Sequence, residues 1–340
     1  MILTIAIPTY NRPDEILATV STIIPQLNDK VSVIILDNSS DVNVVDHLLN
    51  EIENFDKYNI TVHRNKVNIG PDANFARSFE YSTAQYTWVL GDDDEVDSNA
   101  VEKILSDIEY YKDQDLIGFN FNSNCNLVER TVPIIVDSTA SLVSKMDFFG
   151  NWLFLSTSVY HTQSYLKYIR YAYWSAYSMA SQISPALVAI SNNKVFVFSE
   201  KYIVTNKPIY DVEQKWSNVK ITLTLTSLLE LPLNWSNKEY LTFGIKMNTL
   251  FVTFTHILVS ILKSVKLNVD LIDEYHLYIL NQIYSRTIEF RSNRTKEKVM
   301  YNIVKRLLKN KALLKLALRT NAMQKKAHSK DVASFNLFIR

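Results

Sequence analysis

Residues 86–94 have the sequence Tyr-Thr-Trp-Val-Leu-Gly-Asp-Asp-Asp. The apolar run Tyr86 to Leu90 is typical of a buried strand, and Gly91 separates it from three consecutive carboxylates, Asp92 to Asp94. Adjacent negative charges repel one another, and a structured site tolerates them only where a cation or hydrogen-bond donors neutralise them. The sequence therefore predicts a cleft at the end of a buried strand, with a divalent metal as the expected neutralising group.

Upstream and downstream of this motif, the first 120 residues alternate strand and helix patterns. Short apolar runs that stop at polar turns predict strands, and apolar residues at helical spacing predict the helices between them. This alternation predicts an α/β fold with a mostly parallel, Rossmann-like sheet covered by helices on both faces. The main predicted strands are Leu3–Ile7, Val31–Leu36, Ile60–His63, Tyr86–Leu90 and Leu116–Phe121, and the helices include Pro71–Tyr81 and Asn99–Tyr111.

From Asp137 onward the pattern is less regular. Residues Val204–Asn218 form a polar and aromatic loop that is long enough to act as a lid, and the chain from Val219 onward is helical throughout. We therefore predict a domain boundary between residues 218 and 219. Within the irregular region we predict a helix that begins near Ser138 or Thr139, a strand over Leu155–Tyr160, a helix over Met179–Ile190 and a strand over Val195–Phe198 near the far edge of the sheet.

Polar residues follow three of the predicted strands at the point where each strand ends. They are Thr9-Tyr10-Asn11-Arg12, Asp37-Asn38-Ser39 and Gly91-Asp92-Asp93-Asp94. Ligands of parallel α/β sheets bind at the carboxyl ends of the strands. A single polar turn at a strand end has no special meaning, but three on the same edge, one of them with the aspartate triplet, favour a shared binding site.

Composition restricts the protein class. The chain has 340 residues and a hydrophobic share of 47%, enough for a sizeable core. The single cysteine, Cys125, excludes an internal disulfide and a cysteine-rich metal site, and it fits a reducing compartment. The run Ile2 to Ile7 has no basic leader or cleavage site, so we predict no secretory signal and a cytoplasmic location.

The C-terminal segment is strongly basic. Twelve Lys or Arg residues and one acid, Glu297, lie between Arg294 and Lys330, whereas residues 1–293 carry 23 basic and 33 acidic residues. This predicts a basic amphipathic helix on the anionic inner leaflet of the membrane. The alternative is a terminal helix whose apolar side packs on the protein's own core. The basic stretch lacks interleaved aromatics, which argues against nucleic acid. The apolar residues at helical spacing are Val299, Met300, Ile303, Val304, Leu307 and Leu308.

A second C-terminal segment, Met247 to Leu262, is the best candidate for a membrane-spanning helix. It is about four residues short of a comfortable span. It also contains Asn248, His256 and several threonines. We therefore predict a buried or interfacial helix over this segment instead of a membrane span.

Four sequence motifs follow one another in the first 94 residues. They are Ile5-Ala6-Ile7-Pro8-Thr9-Tyr10-Asn11-Arg12, Ile35-Leu36-Asp37-Asn38-Ser39-Ser40, Asn68-Ile69-Gly70-Pro71-Asp72-Ala73-Asn74-Phe75 and Trp88-Val89-Leu90-Gly91-Asp92-Asp93-Asp94. In order and spacing these four strings together resemble glycosyltransferase family 2 of the GT-A fold, and the third and fourth are similar to bacterial O-antigen sugar transferases of the abequosyltransferase type. The resemblance is strong over residues 1–125, weak over 126–215 and absent from the C-terminal part. It implies a GT-A nucleotide-sugar-binding and catalytic domain over residues 1–218, with a helical C-terminal region over 219–340.

The resemblance implies transfer of a sugar from a nucleotide-sugar donor. Breaking the anomeric bond leaves a nucleoside diphosphate, whose growing charge a bound Mg²⁺ or Mn²⁺ stabilises as a Lewis acid. By the family pattern, Asp94 ligates this metal, with Asp92 as a second candidate ligand. Asp92 and Asp93 face the ribose and the diphosphate of the donor, directly or through water.

The other donor contacts also come from the resemblance. Asp37 would accept a hydrogen bond from the base of the nucleotide, although it could equally serve as a helix cap or turn former. Arg77 would reach a phosphate from its helix, or it is a surface residue. The remaining donor-binding residues are Pro8, Thr9 and Tyr10 in the wall of the pocket, Arg12 in the same loop, and Asn68 and Gly70 in the loop before the helix.

The catalytic base is the chief departure from the family. An inverting transferase needs a base for the acceptor hydroxyl, and the expected helix, Ser178–Ile190, has no acid; Gln182 lies about where the base would be. Three explanations remain: a shifted alignment, transfer with retention in which the leaving phosphate acts as base, or a carboxylate from elsewhere. The candidate carboxylates are Asp147, Glu200, Asp211 and Glu213; we favour Asp211 or Glu213 because, with Lys207, Lys215 and Trp216, their loop could fold over the donor.

Three aromatic residues, Trp152, Tyr173 and Trp174, have two interpretations. Aromatic faces suit the apolar side of a pyranose ring, so the three could form a stacking platform for an acceptor sugar. Core packing is the more frequent fate of such residues.

Together these features predict a cytoplasmic, metal-dependent glycosyltransferase held on the inner face of the plasma membrane. It would move a sugar to a lipid-linked oligosaccharide in bacterial surface polysaccharide biosynthesis, either O-antigen or capsule. A nucleotidyltransferase is less favoured, because it typically needs an N-terminal glycine-rich loop and this chain has five glycines with none before Gly70. The non-enzymatic alternative is a degenerate scaffold that binds a nucleotide sugar or a glycan.

Overall fold

The computed structural model describes residues 1–123, 129–146, 150–176, 181–205, 218–248 and 251–319. The chain divides into two compact units. The first comprises Met1–Pro208 together with Leu231–Trp235, and the second comprises Ile209–Glu230 together with Ser236–Arg340.

The first unit is built on one nine-stranded sheet. Its strand order is β3-β2-β1-β4-β8-β6-β9-β5, and β7 pairs with β9. The pairs β1–β2, β2–β3, β1–β4 and β6–β9 are parallel, whereas β8 runs antiparallel between β4 and β6. The strands are β1 Leu3–Thr9, β2 Val31–Asp37, β3 Ile60–Arg64, β4 Tyr86–Val89, β5 Glu95–Val96, β6 Leu116–Ser123, β7 Ile134–Val136, β8 Ser158–His161 and β9 Val195–Thr205.

Eight helices accompany the sheet in the described part of this unit. The strand order advances from β1 to β3 and returns to β4, so right-handed crossovers place the connecting helices on opposite faces. Accordingly α1 packs with α2, while α3 packs with α6 and α7. The helices are α1 Pro13–Ile23, α2 Val44–Glu51, α3 Pro71–Tyr81, α4 Ala100–Tyr110, α5 Thr139–Lys145, α6 Thr162–Leu166, α7 Ile169–Trp174 and α8 Ile183–Ser191.

The mostly parallel α/β sheet predicted from the sequence is confirmed. Its strands are continuous apolar runs because helices bury both faces: the consecutive residues Ile5, Ala6 and Ile7 of β1 point alternately to the two faces and are all 0% exposed. Local signals also place the helices. α3 begins at Pro71, whose fixed φ suits a first helical position, and α5 begins after Ser138, whose side chain accepts a hydrogen bond from the backbone of Ser141.

Three predictions for the irregular region change in the structure. The strand predicted over Val195–Phe198 continues to Thr205, so β9 includes the first two residues of the loop predicted over Val204–Asn218. The strand predicted over Leu155–Tyr160 is shorter, because Leu155–Thr157 forms a 3₁₀ turn and β8 begins only at Ser158. The helix predicted over Met179–Ile190 corresponds to α8, which begins at Ile183; residues 177–180 lie outside the described part of the chain.

The second unit is helical in the part that the structure describes, and its core is formed by apolar residues of several helices, among them Phe254, Ile257, Leu280, Val304 and Leu314. No helix among its described residues has the length and apolar character needed to span a membrane. The helices are α9 Asn218–Ser227, α10 Asn237–Met247, α11 Phe254–Ser264, α12 Glu274–Thr287, α13 Arg294–Lys309 and α14 Lys311–Leu318.

The buried helix predicted over Met247–Leu262 is confirmed only for Phe254–Leu262, which lies in α11 and is largely buried. α10 ends at Met247 and α11 begins at Phe254. The new start has a local cause, since the side chain of Thr253 accepts a hydrogen bond from the backbone N–H of His256 and caps α11. Apolar spacing alone does not show such an interruption.

Candidate active site

Three loops meet at the carboxyl edge of the sheet because β1, β2 and β4 run parallel. Thr9 at the end of β1 lies in register with Asp37 at the end of β2. The backbone N–H of Asn11 donates to Ser40 Oγ (2.9 Å), which joins the first two loops. Thr9 Oγ1 donates to Asp92 Oδ2 (2.7 Å), which joins the first loop to the aspartate triplet. The predicted convergence of the three polar clusters is therefore present in the structure.

Asp92 is the buried member of the triplet, with 6% of its surface exposed. Besides the bond from Thr9, its carboxylate accepts one from Arg12 Nη1 (2.9 Å), and its carbonyl accepts one from Thr19 Oγ1 (2.8 Å). Burial raises the pKa of Asp92, and the hydrogen bonds from Thr9 and Arg12 act in the opposite direction.

Arg12, in the loop after β1, is a cation of the chain itself that lies beside the aspartate triplet. Its Nη1 atom lies 2.9 Å from Asp92 Oδ1 and 3.2 Å from Asp93 Oδ2. The aspartate motif predicts a metal as the neutralising group, and the family resemblance implies a role for Arg12 only in the donor pocket. The structure shows that one guanidinium neutralises two of the three carboxylates.

Asp94 has a different environment. Its Oδ2 atom accepts a hydrogen bond from Ser156 Oγ (2.5 Å), and Gly91 N–H donates to the same hydroxyl (2.8 Å). A Cβ atom on Gly91 would lie 2.6 Å from Asp94 Oδ2, so a larger residue here would displace the Asp94 carboxylate. Ser156 is fully buried, and sequence reasoning missed it because it lies 62 residues from Asp94 with no motif around it.

The donor set of this loop fits a hard divalent cation. Among the described residues no three His, Cys, Asp or Glu side chains form a metal cluster on their own. Mg²⁺ in phosphate-transfer sites, however, is usually held by one or two carboxylates and completed by water and substrate phosphates. Asp94 fits that arrangement better than Asp92, whose two carboxylate oxygens accept hydrogen bonds from Thr9 and Arg12. A cavity of about 290 Å³ between α1 and the triplet is lined by Asp92, Asp93 and Asp94.

Asp37 forms the turn that the sequence analysis kept as its alternative role. It is 1% exposed, and its Oδ1 atom accepts a hydrogen bond from the backbone N–H of Ser40 (2.8 Å). Its Oδ2 atom pairs with Arg64 Nη1 at 3.1 Å. Contact with the base of a donor therefore stays a prediction for Asp37, with Arg64 as a neighbour that the sequence did not indicate.

The loop before α3 is tied to the end of β2 by asparagine side chains. Asn38 Nδ2 donates to Asn68 Oδ1 (2.9 Å), and Asn68 Oδ1 also accepts from the N–H of Gly70 (2.9 Å). Gly70 has φ 83°, which L side chains rarely adopt. These contacts place Asn68 and Gly70 beside the Asp37 turn, as the predicted donor pocket requires.

The remaining predicted donor residues lie around the same edge. Pro8 is half-buried in β1, and Tyr10 is 43% exposed in the loop after it. Arg77 Nη1 donates to Asn65 Oδ1 (2.6 Å), and Asn65 in turn donates to Asn38 Oδ1 (3.0 Å). A phosphate contact of Arg77 therefore stays a prediction.

The structure describes only two of the candidates for the catalytic base, Gln182 and Glu200. Asp147, Asp211 and Glu213 lie outside the described residues, together with Lys207, Lys215 and Trp216 of the predicted lid. Gln182 is described: it is 5% exposed, precedes α8, and its Nε2 atom donates to the carbonyl of Leu153 (3.0 Å). Glu200 lies in β9, where its backbone carbonyl accepts a hydrogen bond from Asn122.

The three aromatic residues that could bind an acceptor sugar differ in their exposure to solvent. Trp152 is fully buried, with its ring centroid 4.8 Å from that of Phe196, so the stacking platform is wrong for Trp152 and core packing is right. Tyr173 and Trp174 on α7 are 38% and 45% exposed. Tyr173 Oη donates to Glu80 Oε1 (2.8 Å). For these two residues an acceptor contact stays a prediction.

Comparison with known proteins gives matches in both sequence and structure. The abequosyltransferase RfbV of Salmonella typhimurium is 28% identical over 135 residues, which are 39% of this chain and 40% of that protein. The alignment thus spans well under half of the relative's length.

The similar solved structures show the fold. TarS of S. aureus, residues 1–349, has a TM-score of 0.60 at 12% identity and covers 91% of this chain and 90% of its own. The mannosyltransferase PcManGT from Pyrobaculum calidifontis, solved with GDP-Man and Mn²⁺, has a TM-score of 0.54 at 11% identity and covers 99% and 87%. These neighbours confirm the GT-A architecture.

The family model named Glycosyl transferase family 2 matches residues 4–175, half of the chain. The match contains all four strings on which the resemblance rested and every strand that ends in the candidate site. By this match the chain belongs to glycosyltransferase family 2.

Proposed function

We propose that the protein is a metal-dependent glycosyltransferase that moves a sugar from a nucleotide-sugar donor to a glycan acceptor. One observation carries the proposal: in a chain of this family, the loops that contain Thr9, Asp37 and Asp92 meet at one edge of the sheet. Support also comes from neighbours of the same fold, since TarS was solved with UDP-GlcNAc and PcManGT with GDP-Man and Mn²⁺.

Each residue of the site has a chemical task in this proposal. Asp94 would hold Mg²⁺ or Mn²⁺, which as a Lewis acid lowers the cost of negative charge on the departing nucleoside diphosphate. Arg12 lies beside Asp92 and Asp93 and would contact the donor diphosphate. Asp37 orients the nucleotide by accepting from its base, while Asn68 and Gly70 shape the wall.

The metal requirement is tested by removing the metal. Purified protein incubated with UDP-, GDP-, CDP- and dTDP-sugars should release nucleoside diphosphate from at least one donor when Mn²⁺ or Mg²⁺ is present. Chelation should lower that release about a hundredfold or more, because the leaving group loses its charge stabilisation. Absence of both turnover and nucleotide binding across the whole panel would contradict the proposed function.

The acceptor belongs to the same proposal. We assign it to a lipid-linked oligosaccharide of bacterial surface polysaccharide biosynthesis, O-antigen or capsule, on the cytoplasmic side of the plasma membrane. The sequence likeness to abequosyltransferase RfbV supports this assignment. A scaffold that binds nucleotide sugar without turnover is the rival, favoured by the absence of an acid from α8.

Membrane contact would come from the basic C-terminal helices. One face of α13 and α14 is buried in the core of the second unit, through Tyr301, Val304, Leu308 and Leu314. The packing expected in the alternative interpretation is therefore present, but it does not use all the apolar residues. The basic helical patch consists of the exposed residues Val299, Ile303, Leu313 and Leu316, which are 45–61% exposed, with the basic residues of both helices around them.

A vesicle experiment tests the basic helical patch. The protein should bind vesicles that contain phosphatidylglycerol and be released by high salt, because both apolar insertion and charge attraction contribute. Changing Val299, Ile303, Leu313 and Leu316 together to asparagine should weaken binding about tenfold or more. The matched control, Leu241→Asn with Ile245→Asn, changes exposed apolar residues of α10 and should leave binding unchanged. Equal binding of the two variants would contradict membrane contact through this patch.

A further inference from the structure

The structure supplies a carboxylate near the position where the sequence analysis found none. Ser181 Oγ donates to Asp72 Oδ1 at 2.9 Å, although the two residues are 109 positions apart. Ser181 is 1% exposed and immediately precedes Gln182, the residue that falls where a base was expected. Asp72, in the first turn of α3, is only partly buried.

Asp72 lies on the donor side of the candidate site. It follows Gly70, whose loop is joined to Asn38 through Asn68, and Asn38 directly follows Asp37. The start of α3 is therefore at the same sheet edge as the predicted base-binding carboxylate.

A second series of contacts leads from Ser181 to the metal loop. Gln182 Nε2 donates to the carbonyl of Leu153, three residues before Ser156, whose hydroxyl donates to Asp94. Asp72 and Asp94 are thus connected through two short segments, residues 181–182 and 153–156. The start of α3, which carries Asp72, and the metal loop therefore belong to one group of contacting segments.

From this geometry we infer that Asp72 is the catalytic base of the transferase, with Ser181 as its positioning residue. The inference rests on the proposed function and names a further residue of that same site. The Ser181 hydroxyl donates to one oxygen of the Asp72 carboxylate, which orients that carboxylate at the sheet edge.

The reaction that this assignment describes is a single displacement with inversion. The acceptor hydroxyl oxygen forms a bond to the anomeric carbon while its proton passes to the Asp72 carboxylate. The bond from the anomeric carbon to the phosphate oxygen breaks, and its electron pair leaves with the nucleoside diphosphate. The proton on Asp72 is later released to water, which restores the carboxylate.

The chain contains a matched control for the helix position of Asp72. Pro13-Asp14 begins α1 as Pro71-Asp72 begins α3, so both aspartates occupy the first turn and interact equally with the helix dipole. Asp14 is exposed and lies outside the described donor and metal contacts. An effect that Asp72→Asn shows and Asp14→Asn does not is therefore separate from helix stabilisation.

The test uses the full-length protein and the donor sugar on which the wild type turns over. Asp72→Asn should lower kcat by a factor of about a hundred or more, within the usual contribution of a general base. The affinity for the matching nucleoside diphosphate with Mn²⁺, measured by calorimetry, should stay within about twofold, since a base contacts the acceptor and not the nucleotide. Ser181→Ala should lower kcat by a smaller factor, about threefold to tenfold, also without a change in nucleotide affinity.

Three outcomes would overturn the assignment. The first is turnover of Asp72→Asn equal to that of Asp14→Asn. The second is loss of nucleotide binding in Asp72→Asn, which would make Asp72 a part of the donor pocket or of the fold. The third is a transferred sugar that retains its anomeric configuration. A wild type that neither turns over nor binds nucleotide fails earlier, at the proposed function itself.

Discussion

Replacement of Asp94 by alanine is expected to lower the rate of sugar transfer about a thousandfold, which corresponds to about 4 kcal/mol of transition-state stabilisation. Asp94 accepts a hydrogen bond from the Ser156 hydroxyl and lines the cavity along α1. Its removal takes away the expected metal ligand, so the departing diphosphate loses most of its charge neutralisation. The measurement is nucleoside diphosphate release at saturating Mn²⁺, together with calorimetry of nucleoside diphosphate binding.

Glu102 provides the control for this change. It is exposed in the first turn of α4 and does not line the cavity beside the triplet, so Glu102→Gln removes one negative charge outside the proposed metal site. It should retain nearly full activity. Loss of turnover in a folded Asp94→Ala protein supports the enzyme. The scaffold is supported if the wild type shows no turnover and nucleotide binding is the same in both variants. Full activity of Asp94→Ala would contradict the role of Asp94 in metal binding.

The parallel half of the sheet could be predicted from the sequence because its signals are local. β1, β2 and β4 are buried on both faces and are therefore unbroken apolar runs, each of which ends in a polar turn. The start of α3 is marked by Gly70 and by its own first residue, Pro71. The predicted range, Pro71–Tyr81, is that of the structure. Because parallel strands end at one edge, the convergence of the three polar loops followed from the strand assignment alone.

The contacts that orient the site could not be predicted, because they join residues far apart in the chain. Nothing in the sequence near Asp94 indicates Ser156, and nothing near Asp37 indicates Arg64. The pairing of Arg12 with Asp92 spans 80 residues and shows that the loop can be neutralised from within the protein. Burial of Trp152 depends on β9, which supplies Phe196 and Phe198 against its ring.

The position of β8 in the sheet could not be predicted from the sequence either. Strands close in sequence usually pair, but β8 enters antiparallel between β4 and β6 after more than thirty residues of chain that include β7 and α5. One sequence feature is explained by this insertion. Gly118 lies in the middle of β6 opposite Tyr160 of β8, and glycine inside a strand marks a close approach of another backbone.

Gly118→Val is accordingly expected to destabilise the fold strongly. A Cβ atom at this position would lie 2.5 Å from the carbonyl oxygen of Val159 and 3.0 Å from the Cα atom of Tyr160. Both obstacles are backbone atoms of a central strand, and the ring of Tyr160 is fully buried, so neither can move aside at low cost. We expect a loss of about 3 kcal/mol or more in the free energy of unfolding.

Thermal or urea unfolding followed by circular dichroism measures this loss, with Ile117→Val as the control. Ile117 is the fully buried neighbour of Gly118 in β6, and removing one of its methyl groups should cost only about 1 kcal/mol. Activity should fall with stability in Gly118→Val, since β8 follows directly from the turn that contains Ser156 and displacement of the strand moves the hydroxyl that holds Asp94. Equal stability of the two variants would mean that β6 and β8 are not as close as the structure shows, and the placement of Ser156 against Asp94 would then lose its support.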